Sequence, residues 1–378
     1  MKTATKGLGT SRAGPVLPDY AGPNVRGIIP ALLGPADWKA ELPDWFPEPM
    51  RAAEQVVLLI LDGLGWDQFV EHRALMPALS GFVGRQITTV APTTTATALS
   101  SIATGLTPGE HGLVGYRVML KGEVVNLLRW VSGDSDRRRS LPPRDIQPFT
   151  PFLGKAVPVI SPAELEHSGF TEAHLRGSRP RGYRAASAIA VEVRRQLAAG
   201  EPFVYAYYGF IDKTAHERGF GEFYEAELRA ADRIVGDVLA ALPAGAVLLV
   251  TADHGQVDVG ANIIHPDPAL LAMVTAQSGE GRFRWWHTSG DVDELAKRAL
   301  DAYGDVAWVV TREQVLDEGW FGPTVSPPVA ARLGDVALVA SAAVSFFDPA
   351  DSGPFELVCR HGSMTSAEVL VPLLAAPA

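Results

Sequence analysis

Asp253-His254-Gly255 closes the segment T-A-D-H-G-Q-V, directly after the apolar run Ala246–Val250. A carboxylate and an imidazole side by side at the end of a buried strand suit a divalent metal ion. Three more apolar runs end in the same ligand types. Asp62 follows Val56–Leu61, Asp212 and His216 follow Phe203–Phe210, and His361 follows Phe355–Cys359. Each of these residues alone has an ordinary explanation, as a helix cap, a turn former or a hydrogen-bonded histidine. Together they supply enough hard and borderline donors for two ions with three ligands each. Asp212 and His216 are four residues apart and share one face of a helical turn. Gly255 permits close backbone approach.

A second constellation is P-T-T-T-A-T-A-L-S-S-I-A-T-G-L-T-P-G-E-H-G, Pro92–Gly112. Hydroxyls cluster where a helix opens after a strand. A divalent ion can lower the pKa of such a hydroxyl so that it attacks phosphorus. The helix N-terminus favours an anionic substrate. Thr93, Thr94 and Thr97 also read well as caps and turn formers.

The elements that must position these groups alternate. Short apolar strands at Val56–Leu61, Gln86–Val90, Phe203–Phe210 and Ala246–Val250 are separated by helices at Thr95–Thr104, Tyr183–Ala199 and Phe220–Leu242. That alternation predicts an α/β fold with a mostly parallel central sheet sandwiched by helices. Ligands then bind beyond the carboxyl ends of the strands, where the six residues fall. Residues 1–50 predict an extended arm with one short helix near Ala36–Glu41. Val118–Val131 predicts a hairpin turning at Gly122, and Asp134–Pro151 a surface loop. Residues 264–354 predict a smaller inserted α+β lobe, with strands at Ala269–Val274, Ala307–Val310 and Val336–Ala340 and a helix at Asp291–Ala302. The catalytic core would be 51–263 with 355–378, finishing on a helical turn at Met364–Glu368.

The chain has 378 residues, 20% charged and 47% apolar, which describes a globular protein. The net charge of −10 argues against a nucleic-acid polymer as partner but leaves room for a small phosphate ester beside bound cations. The single cysteine, Cys359, permits no intramolecular disulfide and reads as a small buried hydrophobe. The N-terminal segment lacks the apolar stretch of a secretory signal, and no apolar run reaches transmembrane length. The expectation is a cytoplasmic protein with no membrane partner; the oligomeric state is not legible.

The order of the motifs resembles the alkaline phosphatase superfamily: a strand ending in Asp, a threonine helix running into T-G-L-x-P-x-x-H-G, Asp-x-x-x-His, Asp-His-Gly and a late His-Gly. The nucleotide pyrophosphatase/phosphodiesterase (type I phosphodiesterase) branch is the most similar. The resemblance covers Val56–Gly115, Phe203–Gly260 and Phe355–Leu374. It implies one ion held by Asp212, His216 and His361 and another by Asp62, Asp253 and His254. Histidine-containing ligand sets favour zinc over magnesium, with manganese as an alternative. In that branch the nucleophile lies nine residues before the Thr of Thr-Gly-Leu. Thr104 is that Thr here, so the count lands on Thr95, which would also touch a metal; Thr94 is the fallback. His111 resembles a structural histidine of the family.

Where the branch carries an Asn three residues after the nucleophile, this chain has Ala98. A backbone N–H, Lys213 or Tyr116 could donate in its place, and one such donor is worth on the order of 100-fold in rate. Lys213 could instead pair with a carboxylate. His265 falls near the expected mouth of the site. Trp285-Trp286 and the following His287 read as packing groups, and Arg137–Arg139 as a solvated run. The implied activity is di-metal hydrolysis of phosphodiester or pyrophosphate bonds in nucleotide-like substrates through a phospho-threonine intermediate. The alternatives are a phosphomonoesterase or a phosphonate C–P hydrolase of the same superfamily, and a non-catalytic metal-binding regulatory module. A sulfatase is disfavoured, because no Cys-x-Pro-x-Arg element is present.

Overall fold

The computed structural model describes residues 14–35, 38, 41–351 and 357–378. Its centre is a seven-stranded sheet. In chain order the strands are β1 (Gln55–Leu61), β2 (Val83–Thr88), β3 (Pro158–Ile160), β4 (Arg179–Pro180), β5 (Phe203–Tyr208), β6 (Ala246–Thr251) and β7 (Leu370–Pro377). The spatial order is β2-β7-β6-β1-β5-β3-β4. β1 pairs in parallel with β6 and β5, and β3 with β5 and β4. Only β7 runs against its neighbours β6 and β2. β1 and β6 are buried on both faces, which explains their continuous Val/Leu/Ile runs. The α/β expectation therefore holds, with a mostly parallel central sheet and helices packed on it.

Several elements differ from the sequence reading. Ala269–Val274 is not a strand: Asp267 caps a short helix over Pro268–Leu271 by accepting from the Ala269 N–H, with Pro268 at the first helical position. The Val118–Val131 hairpin pairs Arg117–Leu120 with Glu123–Asn126 across Lys121-Gly122, both at positive φ, 50° and 87°. Asp134–Pro151 is not simply a surface loop, since Leu141, Ile146 and Gln147 are buried and Pro143–Ile146 is helical. β3 and β4 were not foreseen, nor was β7, whose Pro372 and Pro377 mask its apolar run. The strand expected over Phe355–Cys359 falls mostly outside the described residues; the described part is Cys359–Arg360, paired with Val257–Asp258. The helix expected near Ala36–Glu41 also lies largely outside them.

The extended arm expected over residues 1–50 needs correction in one respect. Val25, Ile28, Ile29 and Leu32 are fully buried in the main core. A four-stranded antiparallel sheet lies within the 264–354 segment, ordered Ala276–Glu280, Phe283–His287, Val336–Ala340, Ala307–Thr311. The helix Val292–Tyr303 covers one face of it, burying Leu295, Ala299 and Tyr303 with Trp286 and Leu338. Its other face, with Phe283, Trp285, Ala337 and Val339, joins the main core. This attachment brings one end of the sheet beside the carboxyl ends of β1, β5 and β6. No helix among the described residues is long and apolar enough to cross a membrane.

Candidate active site

Four strand ends deliver the six expected ligands to one place. Asp62 follows β1. Asp212 and His216 stand one turn apart on the helix Phe210–Arg218, which follows β5. Asp253 and His254 follow β6, and His361 follows Cys359–Arg360. Their donor atoms form two groups: Asp212, His216 and His361, and Asp62, Asp253 and His254, each with ligand atoms within 4.8 Å of one another. The Nε2 of His216 lies 3.3 Å from Asp212 Oδ1, and that of His361 lies 3.8 Å from the same oxygen. The Nε2 of His254 lies 3.6 Å from Asp62 Oδ1 and 3.5 Å from Asp253 Oδ2. The rings of His254 and His361 stack at 3.7 Å, which joins the two groups.

Hydrogen bonds hold the three histidines, Asp62 and Asp253 by the atom that does not face inward. His216 Nδ1 donates to the Cys359 carbonyl at 2.6 Å, His254 Nδ1 to that of Gly255 at 3.1 Å and His361 Nδ1 to that of Thr93 at 2.8 Å. A carbonyl can only accept, so these bonds put the proton on Nδ1 and leave each Nε2 an unprotonated acceptor. Asp253 Oδ1 accepts from the Gly63 and His254 amides at 3.2 and 3.0 Å, and Asp62 Oδ2 accepts from the Tyr207 hydroxyl. The remaining oxygens, Asp62 Oδ1, Asp253 Oδ2 and Asp212 Oδ1, are buried and have no hydrogen-bond partner.

The electrostatics follow from that crowding. Burial raises the Asp62 carboxyl well above its ordinary range, and the charges of Asp253 and Asp212 raise it further. Burial likewise raises Asp212 and Asp253. Burial lowers His254, and lowers His361 strongly, helped by the neighbouring imidazoles. Three orphaned carboxylate oxygens facing three imidazole lone pairs fit divalent cations.

Thr95 stands at the first position of the helix Thr95–Thr104, with Thr94 as its N-cap. Its Oγ lies 3.1 Å from His254 Nε2 and, given the proton on Nδ1, donates to it. Thr93 is occupied otherwise: its hydroxyl donates to the Ser363 carbonyl and accepts from the Gly362 amide. Thr97 is fully buried. His111 is buried and engaged, its Nδ1 accepting from the Leu113 amide and its Nε2 donating to Ser101.

Two recesses meet at Thr95 and Asp212. The larger, about 380 Å³, adds His216, His361, Lys213, Tyr116, Arg129, Glu280 and Arg360 to its walls. The smaller, about 220 Å³, is lined by Asp62, Tyr207 and apolar groups such as Leu99, Leu165 and Phe170. Lys213 is exposed and makes no ion pair among the described residues, so it does not pair with a neighbouring carboxylate. Tyr116 accepts from the Asn126 amide at 2.6 Å, which leaves its own proton free to donate. Ala98 is fully buried and lines neither recess. The structure places His265 elsewhere: it is exposed and packs on Phe347 at 4.5 Å, outside both recesses.

Sequence reasoning missed Tyr207, Glu280 and Arg360. Tyr207 shares its strand with Tyr205 and Tyr208, and a tyrosine in a largely buried strand marks a hydroxyl needing a partner. Arg360 stands next to a candidate ligand in the chain, which was a usable signal. Nothing local singles out Glu280, whose placement depends on how the inserted sheet docks.

The sequence profile described as type I phosphodiesterase / nucleotide pyrophosphatase matches residues 56–364. No curated protein sequence matches the chain. Among solved structures, a phosphonoacetate hydrolase from Sinorhizobium meliloti 1021 in complex with phosphonoformate is similar at 18% identity, TM-score 0.64, over 85% of this chain and 90% of that one. Murine ectonucleotide pyrophosphatase/phosphodiesterase 5, in an inactive form with one threonine replaced by alanine and bound to AMP, is similar at 16% identity, TM-score 0.62, over 85% and 87%. The human counterpart gives 16% identity and TM-score 0.63 over the same shares. At these identities the likeness is one of fold.

Proposed function

Because the chain belongs to the type I phosphodiesterase / nucleotide pyrophosphatase family of hydrolases, we propose that it cleaves phosphodiester or pyrophosphate bonds with two divalent ions and Thr95 as nucleophile. One observation carries this reading. The Thr95 hydroxyl sits at a helix N-terminus against His254, beside two ligand groups whose free atoms converge. The inactive murine neighbour, which lacks one threonine, supports a threonine in this role.

Asp62, Asp253 and His254 would hold one ion, and Asp212, His216 and His361 the other. When bound, such ions lower the pKa of a hydroxyl beside them and offset charge on phosphoryl oxygens. Zinc is the ion these ligand types favour, with manganese as an alternative. Thr95 Oγ attacks phosphorus; its O–P bond forms as the ester P–O bond on the opposite side breaks, and the alcohol departs. Water then attacks the Thr95 ester, the Thr95 O–P bond breaks, and the hydroxyl is restored. The N-terminal amides of the Thr95–Thr104 helix face the growing negative charge. Lys213 and Tyr116 serve as further donors in place of the side chain absent at Ala98. The walls of both recesses restrict water around the transferring group.

The competing reading is a phosphonate C–P hydrolase. The phosphonoacetate hydrolase neighbour and the cations Lys213, Arg129 and Arg360 in the larger recess favour it.

Hydrolysis of bis-p-nitrophenyl phosphate against p-nitrophenyl phosphate, by zinc- and manganese-loaded protein, tests the proposal. The expected result is metal-dependent preference for the diester, lost in Thr95→Ala by on the order of 10³-fold or more. Preference for the monoester, or full activity in Thr95→Ala, contradicts it.

A further inference from the structure

All three polar groups of Thr93 are engaged with the segment that carries His361. Thr93 is fully buried and forms a single antiparallel bridge with Gly362. Its amide donates to the Gly362 carbonyl at 3.2 Å, and its carbonyl accepts from His361 Nδ1 at 2.8 Å. Its hydroxyl accepts from the Gly362 amide at 3.0 Å and donates to the Ser363 carbonyl at 2.8 Å. These bonds join segments 268 residues apart in the chain. A bridge made on glycine specifies its register weakly. No side chain fits at Gly362, where a Cβ would stand 2.5 Å from Glu280 Cγ. The Thr93 hydroxyl, bonded to both Gly362 and Ser363, fixes the register instead.

Thr95 follows two residues later, at the first position of its helix. Thr94 stands between them as the N-cap and makes no side-chain bond to that helix. Thr93 therefore ties the entry of the Thr95 helix to the His361 segment. The bonding continues past His361. The Ser363 amide donates to Glu368 Oε1 at 2.9 Å, and the Glu368 carbonyl accepts from the Gly255 amide at 3.0 Å, next to His254. Arg282 holds the Glu368 carboxylate at 2.8 Å on each oxygen, with both side chains fully buried. His254 Nε2 in turn lies 3.1 Å from Thr95 Oγ. These bonds close a ring through Thr95, Thr93, His361–Ser363, Glu368 and His254. The ring contains the nucleophile and one histidine from each ligand group.

We infer that Thr93 is a positioning residue: its hydroxyl aims the His361 ring at the ion that Asp212, His216 and His361 would hold, and sets where the Thr95 hydroxyl stands relative to that ion. The second half of the inference rests on the reading of Thr95 given above. Without the hydroxyl, the Gly362 amide and the Ser363 carbonyl lose their partner, and the bridge holds His361 by backbone bonds alone. The ligand and the nucleophile then lose their common reference, and misplacement of reacting groups slows the chemical step. Thr93 lines neither recess, so it makes no contact with a bound substrate.

Competition for zinc between a chelator and the full chain tests this, in the parent, Thr93→Val, Thr93→Ser, His361→Ala and the Thr93→Val/His361→Ala double variant. Thr93→Val keeps the shape and removes the hydroxyl. It should weaken one of two zinc ions about 10- to 100-fold and leave the other unchanged. Thr93→Ser, which keeps the hydroxyl, should restore most of that affinity. In the His361→Ala background Thr93→Val should have no further effect, because the ligand it aims is gone. At saturating zinc, Thr93→Val should lower kcat for bis-p-nitrophenyl phosphate about tenfold or more without raising KM. If the valine variant does not fold, Thr93→Ala against Thr93→Ser gives the same comparison, since those two differ only by the hydroxyl. Unchanged zinc affinity overturns the proposal. So does equal weakening of both ions, an effect that persists at full size in His361→Ala, or an unchanged kcat at saturating zinc. Selective loss of one ion in a chain whose parent turns over no diester would support the aiming of His361 and count against the Thr95 reading.

Discussion

Asp62, Asp253 and the three histidines of the cleft are each held by one side-chain atom and free at another, and that division sets what single substitutions do. Tyr207 donates to Asp62 Oδ2 and fixes which oxygen turns inward. Tyr207→Phe should weaken metal binding about 10- to 100-fold while leaving the fold intact, as competition against a zinc chelator would show. Asp62 makes a prediction of opposite sign for the metal-free protein. Its carboxyl is raised by burial and by Asp253 and Asp212. The folded chain thus prefers it protonated, and its stability falls as pH climbs from the unfolded carboxylate range through the raised folded value. Asp62→Asn removes that cost. In chelator-treated protein it should melt above the parent, by a margin that widens from acid to neutral pH. With zinc present the order should reverse. A constant margin across pH would contradict this account of the site's charge.

At the level of elements, the site depends on strand ends whose approach is set by small residues. Gly362 adopts a φ of 123°, and a Cβ there would meet both Glu280 and a disfavoured backbone region. Gly362→Ala should cost about 1–3 kcal/mol of stability, read from denaturant unfolding, and should shift His361 enough to lower kcat. A cost near zero would mean that the two segments are not locked together. The elements also show what was legible. β1, β5 and β6 were readable because strands buried on both faces are unbroken apolar runs, and the ligands follow directly from their ends. β7 was not, because Pro372 and Pro377 interrupt its pattern, although both its neighbours accept it. Ala269–Val274 misled because its apolar residues follow an Asp-Pro capping signal that outweighs their strand tendency. The Asp212–His216 pair was legible from spacing alone, since four residues on a helix is one turn.

Across the whole molecule the arm and the inserted sheet matter as much as the motif-bearing core. Val25, Ile28, Ile29 and Leu32 are fully buried, and each buried apolar side chain contributes about 1.5–3 kcal/mol. Their sum rivals the total stability of about 5–15 kcal/mol of an ordinary domain. A chain starting after Leu33 should therefore show no cooperative melting, whereas one starting at Gly14 should melt as a folded protein. Calorimetry of the two truncations decides it. Glu280 and Arg360 belong to this scale too. Their meeting is a consequence of sheet docking across some 80 residues of chain, and no local pattern encodes it. His265 shows the converse: proximity in sequence to Asp253 and His254 did not carry it into the cleft. The central claim is that Thr95 becomes bonded to phosphorus. Mass spectrometry of zinc-loaded protein, acid-quenched while turning over bis-p-nitrophenyl phosphate, tests it most directly. The account predicts the substrate's phosphoryl moiety on the peptide containing Thr95, and none in Thr95→Ala. Turnover without that adduct, or an adduct on another residue, would contradict it.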